Sequence, residues 1–304
     1  MTDATFSDPA AARQSVPPAR AGGLRLPLQW LGVAPFFIFA LMFLIFPTFY
    51  LVVGAFQNDQ GEFTLANIAS LLQPSILAAY WISIRVSLAS AVLGALAGLA
   101  ISIAIVRGGL PRWVRSATMT FSGVASNFAG VPLAFAFLAT LGRLGLVTVL
   151  LRTWFDINIY GLGFNILSFA GLTLTYLFFQ IPLMVVIITP AIDGLKKEWG
   201  EAAATLGATQ VQFWRMVVIP VLWPSFLGTV ILLFANAFGA IATAYALTGS
   251  SLNIVPILLY AQIRGDVLHN PHLGYALAFG MIFITGLANV FYIWFRTRSE
   301  RWLK

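Results

Sequence analysis

Six long apolar runs, separated by shorter polar segments, organise the chain. A bilayer core of about 30 Å is crossed by about 20 apolar residues in helical form. The runs therefore predict membrane-spanning helices near 29–56, 79–106, 116–141, 166–190, 218–247 and 273–295. The first holds Pro35 and Pro47, which lipid-embedded helices tolerate better than soluble ones. Residues 1–28 carry Ala, Pro and Arg with no apolar period and read as a disordered cytoplasmic tail. A cleavable signal peptide does not fit, because the run that follows is too long and lacks a small-residue cleavage site. The expected organisation is a tail over 1–28 and a membrane domain over 29–304.

Composition agrees with the pattern. The chain is 60% hydrophobic and 9% charged, against about 25% charged in soluble domains. It has no cysteine, which excludes disulfides and thiolate metal sites. The net charge of +7 is scattered between apolar runs rather than clustered, which argues against a nucleic-acid partner.

The placement of charge predicts topology. With the N-terminus inside, inside segments hold 13 of the 17 Lys and Arg residues, outside segments hold Arg143, Arg152 and Arg264, and Arg85 falls within the second span. Basic residues concentrate on the cytoplasmic side, so both termini are expected there. The outside segments 57–78, 142–165 and 248–272 are longer than minimal, and 65–72 is amphipathic. They read equally as a surface for a soluble partner or as interfacial helices lying on the bilayer.

The long inside loop, 193–220, has its own helical pattern. Asp193 is placed to N-cap a first short helix that runs through Glu201-Ala202-Ala203-Ala204. Gly207 stands where a helix end needs positive φ. Thr209 then restarts the chain, with Gln212 completing a capping box. Phe213, Trp214 and Met216 lead into the fifth span, whose entry Pro220 and Pro224 punctuate. The alanines would let another surface approach the helix backbone closely. An ordinary connector between two membrane helices is the plain alternative.

This loop resembles a motif of bacterial binding-protein-dependent ABC importers: Glu-Ala-Ala, three residues, Gly, nine residues, Ile-x-Leu-Pro. Here Glu201-Ala202-Ala203, Gly207, Val217, Ile219 and Pro220 hold the matching offsets, with Val and Ile replacing Ile and Leu. The resemblance covers roughly 82–295, and 234–249 is similar to the spermidine/putrescine-like branch. It implies an all-α, six-helix type I permease in a bacterial inner membrane. The implied partners are an ATPase dimer, a second permease that the branch makes a different chain, and an extracytoplasmic solute-binding protein. Glu201, Ala202, Ala203, Gly207 and Pro220 would then belong to the ATPase-coupling loop, with Glu201 at the rim of the ATPase groove. No GxxxxGK[ST] phosphate loop is present. ATP and Mg are therefore expected on the partner, with no catalysis and no cofactor on this chain.

The cargo is less constrained. No Asp or Glu falls within a predicted span, which disfavours proton coupling and leaves a cation without a carboxylate partner there. Arg85 is the one ionisable side chain in a span, and it stands near an interface to which it can snorkel. Asn127, Gln180 and Asn236 are candidates for the substrate pathway, with Asn289 a further polar residue. Each reads equally as hydrogen-bond glue between helices. His269 and His272 are more readily solvated loop residues than metal ligands. Polyamine-like cations are the first expectation, with phosphonate, sulfate-like anions, thiamine and ferric iron as alternatives. A self-contained secondary transporter or channel is the competing class. A membrane enzyme lacks a His/Asp/Glu cluster at helical spacing.

Overall fold

The computed structural model describes residues 29–264 and 270–299. The expected tail over 1–28 and His269 lie outside them. The chain divides into two compact units, one ending at Phe49 and the other starting at Tyr50.

The described residues of the first unit are helical and apolar, and their last helix runs on past Phe49. Helix α1 (Gln29–Ala40) passes through a π-helical turn, Leu41–Ile45, into α2 (Phe46–Gly54). The turn closes with Phe46 N–H donating to Leu41 O, immediately before Pro47. A proline ring crowds the carbonyl four residues back, and one extra residue in the turn relieves that crowding. From Phe36 to Phe49 the large apolar side chains are exposed, as expected of a helix made to face lipid or another protein.

The second unit continues through α3 (Ala66–Ser70), α4 (Pro74–Arg107), α5 (Arg112–Ala125), α6 (Val131–Leu141), α7 (Leu146–Phe155) and α8 (Phe169–Asp193). Then follow α9 (Lys197–Thr205), α10 (Gln210–Phe213), a second π-helical turn Trp214–Val218, α11 (Ile219–Phe238), α12 (Ile241–Thr248), α13 (Val255–Arg264) and α14 (Pro271–Ser299). Among the described residues six helical stretches are long and apolar enough to cross a membrane. The second π turn again ends two residues before a proline, Pro220.

Helices α4, α8 and α11 share a core that includes Ala91, Ala95, Met184, Ile188 and Leu233. Close approach of α4 and α8 depends on small residues one turn apart. Ser90, Gly94, Gly98 and Ser102 form a buried stripe along α4. A Cβ at Gly98 would lie 2.5 Å from Met184 Cβ, and one at Gly94 would lie 2.8 Å from Gln180 Cβ. With no hydrophobic force between helices in lipid, such small-residue contacts carry packing through dispersion.

Two expected spans are not continuous. The third, expected over 116–141, is broken at 126–130 between α5 and α6, and the third stretch long and apolar enough to cross is instead Val131–Phe155, which takes in α6, α7 and part of the segment expected outside. The fifth, expected over 218–247, is broken at Gly239 and Ala240 between α11 and α12. Broken backbone at membrane depth must have its polar groups satisfied within the protein. Each break takes one such bond from a neighbouring helix, α12 for the first and α8 for the second. Gly130, at φ +79, donates its N–H to Thr243 Oγ1 at 2.7 Å, and Tyr176 Oη donates to Ala240 O at 2.9 Å. Hydropathy does not register either break, because the residues remain mostly apolar.

Candidate functional site

The loop between α8 and α11 is tied down at its root. Helix α8 extends through Asp193, so Asp193 ends one helix rather than starting the next, which corrects the N-cap expectation. Its carboxylate takes the Arg115 guanidinium from the start of α5. Arg107, ending α4, donates to Leu195 O at 3.0 Å. The cap position of α9 falls instead to Lys196, in extended conformation and without a side-chain bond.

The rest of the loop follows its pattern. Helix α9 ends in paired turn bonds, with Gly207 N–H donating to Ala204 O and Ala208 N–H to Ala203 O, both at 2.9 Å. This reversal requires a left-handed residue, and Gly207 supplies φ +78. Thr209 and Gln212 form a complete capping box at the start of α10. Phe213 lies across Gly200, 3.7 Å from where a Cβ would stand, and holds α10 against α9.

The outer face of the loop has no partner among the described residues. Glu201, Ala202 and Ala204 are exposed and Ala203 is half-buried. Two apolar side chains that the sequence pattern does not single out stand further into solvent: Leu206 is 87% exposed and Val211 75%. Both flank the reversal at Gly207, and apolar residues beside a helix-ending glycine were the available signal. Pro220 is exposed two residues beyond the π turn.

The polar candidates within the spans separate by environment. Gln180 is fully buried, and its amide donates to Leu233 O at 2.9 Å, joining α8 to α11, while its Oε1 has no partner. Asn127 is exposed within the α5–α6 break and donates to Gly123 O at 2.9 Å. Asn236 is exposed in the last turn of α11, next to the other break. The fold thus places Asn127 and Asn236 beside broken backbone and Gln180 inside a helix interface. Arg85 is exposed, its guanidinium 5.3 Å from the centre of the Phe169 ring at the start of α8. Asn289 is exposed and donates to Thr285 O at 2.8 Å. His272 Nε2 lies 3.0 Å from Asp59 Oδ1.

A chain of six apolar spans that presents an exposed, root-anchored pair of short helices between its fourth and fifth spans is the permease subunit of an ABC-type importer. The chain belongs to the family described as binding-protein-dependent transport system inner membrane component, which matches residues 100–304. The molybdenum transport system permease protein ModB of Mycobacterium bovis is 28% identical over 229 residues, 73% of this chain and 81% of that protein. The sulfate transport system permease protein CysT of Salmonella typhimurium is 26% identical over 244 residues, 79% of this chain and 83% of that protein. A bacterial ABC transporter that imports the acidic polysaccharide alginate shares the fold, with a TM-score of 0.67 at 18% identity over 91% of this chain and 96% of that one. The MetNI methionine ABC transporter in an inward-facing conformation also matches, at a TM-score of 0.56 and 13% identity over 76% and 97% of the two chains. The expectation of a polyamine-like cargo draws nothing from these relatives, whose names point to molybdenum and sulfate.

Proposed function

We propose that this permease passes a small tetrahedral oxyanion of the sulfate or molybdate kind, delivered by a soluble binding protein and driven by a separate ATPase pair that grips the loop at 193–220. The names of the relatives carry the substrate reading. The distribution of charge supports it: every described carboxylate lies in a loop or at the end of a span, so a cation would cross without a partner, while Arg85 stands within α4. Asn127 and Asn236, beside the two breaks, are the residues assigned to the path, and uncharged amides suit an anion that must bind and leave. Both termini are assigned to the cytoplasmic side from the basic segments, and a second permease chain completes the path.

The coupling assignment rests on the exposed face of α9 and α10. Glu201 meets the rim of a groove on the ATPase, Ala202 and Ala203 allow close approach, and Leu206 and Val211 fill apolar hollows. Gly207 sets the angle between the two helices, and Pro220 fixes the π turn through which α10 enters α11. Motion of the ATPases then shifts the path between two states through a rigid element.

In proteoliposomes holding the assembled transporter and its binding protein, ATP should drive uptake of labelled sulfate or molybdate and not of putrescine. Putrescine uptake with neither oxyanion moving would overturn the substrate. A β-branched residue at Gly207 meets open space but a left-handed backbone, at a cost of about 1–2 kcal/mol. Gly207→Val should insert normally yet lose ATP-driven uptake, and normal uptake by it would overturn the coupling role.

A further inference from the structure

The segment between α6 and α8 builds a second site that the transport reading does not use. After Leu141 the chain turns, forms α7 and folds back through 157–168 to the start of α8. These elements enclose a cavity of about 770 Å³ whose lining includes Arg143, Arg152, Thr148, Asn158 and Asn165. Its size falls within the range of small-molecule sites, about 300–1,000 Å³.

The cavity is equipped to donate hydrogen bonds. Arg143 stacks on the Tyr160 ring at 5.6 Å, and Tyr160 Oη is in turn anchored on Leu141 O at 2.8 Å. Arg152 stands one helical turn beyond Thr148, so both share a face of α7. Asn158 and Asn165 each accept a backbone N–H through Oδ1 at 3.0 Å, which leaves their NH2 groups to donate elsewhere. Thr148 backs the same wall, only 6% exposed, with its Oγ1 buried and without a hydrogen-bond partner among the described residues. Asp156, the carboxylate nearest in sequence, does not line the cavity.

A purely apolar groove of about 300 Å³ adjoins it, lined by Leu151, Leu162 and Leu174 among others, and Phe164 belongs to both walls. Around them Leu144 is 93% exposed and Trp154 76%. Exposed Trp beside Arg at the end of a membrane span marks the level of lipid headgroups.

We infer that this site binds an anionic phospholipid, with its phosphate between Arg143 and Arg152 and one acyl chain in the groove past Phe164. A free oxyanion or an acidic side chain of a soluble partner would explain the arginines but leave the contiguous apolar groove without a role. The inference rests on α6 and α8 crossing a bilayer and not on the cargo, so either can fail alone.

The test is native mass spectrometry of the full chain, purified in detergent with the subunits it brings along and titrated with dioleoyl phosphatidylglycerol or dioleoyl phosphatidylcholine. The wild type should retain phosphatidylglycerol preferentially. The double variant Arg143→Gln, Arg152→Gln should weaken that retention at least tenfold, whereas Arg112→Gln, which removes one positive charge elsewhere, should leave it unchanged. Millimolar inorganic phosphate should not displace the lipid. Equal retention by the double variant, equal loss in Arg112→Gln, or displacement by phosphate would each overturn the proposal. Leu162→Glu, at an 80% exposed position, reads the same site from the groove side and should also lose retention. Its failure to do so would count against the site even if the arginine variant did not assemble.

Discussion

Single glycines in this protein do opposite jobs. Gly98 keeps α4 against α8, because a Cβ there would lie 2.5 Å from Met184 Cβ and 2.8 Å from Ile181 O. Gly123, in α5, has nothing within 4 Å of where a Cβ would stand. Gly98→Ala should therefore lower stability by about 1–3 kcal/mol, the scale of core overpacking. Gly123→Ala should be neutral or stabilise by up to about 1 kcal/mol through helix propensity. Thermal unfolding in detergent compares the two, and equal midpoints would show that the α4–α8 approach is looser than described. Such differences are only partly legible in a sequence. The four-residue spacing of Ser90, Gly94, Gly98 and Ser102 is visible as a small-residue stripe, although hydropathy alone passes over it. Asp193 shows the reverse case. Its local context suits a helix cap, but its partner Arg115 lies 78 positions away and no local rule includes it.

Among the elements, the loop helices were readable because their signals are local: a capping box within four residues and a glycine at a reversal. That makes their strength testable. Thr209→Ala removes an N-cap worth about 1 kcal/mol, so the amides of 211–213 should exchange about fivefold faster with solvent deuterium. Unchanged exchange would mean that packing of Phe213 over Gly200, and not the cap, holds α10. The broken spans were not readable for the complementary reason. Gly130 and Gly239 each sit in apolar surroundings that satisfy a hydropathy window, and what decides the break is a bond to a distant element, from Gly130 to Thr243 and from Tyr176 to Ala240. Asn127 and Asn236 could be picked out as polar residues in apolar runs. That they stand beside the two breaks, and that Gln180 does not, emerges only from the fold.

For the whole molecule, topology is the property that hydropathy leaves open and charge addresses. The absence of cysteine makes it directly measurable. Single cysteines at Gly61 and Gly207, both at positive φ in open space, should react with a membrane-impermeant maleimide from opposite faces of the membrane. Labelling from the same face would overturn the six-span arrangement with both ends inside. The family and the six spans were legible in the chain because lipid imposes length and apolarity on every crossing element. The cargo was not, because no residue pattern in the spans marks a site for one solute over another.

The two ends of the 193–220 loop differ mechanically. Toward α8 it is joined by three residues, 194–196, that are not helical. Toward α11 the helix runs without interruption from Gln210 to Phe238, 29 residues, or about 40 Å at 1.5 Å per residue. A non-helical joint bends under load, while a continuous helix passes the load on. On the proposed coupling, a push received at Leu206 and Val211 would meet a short joint pinned through Leu195 by Arg107 on one side and travel on the other as the stroke of a rod. That rod ends at Gly239, one turn beyond Asn236, so its travel is spent beside the broken backbone.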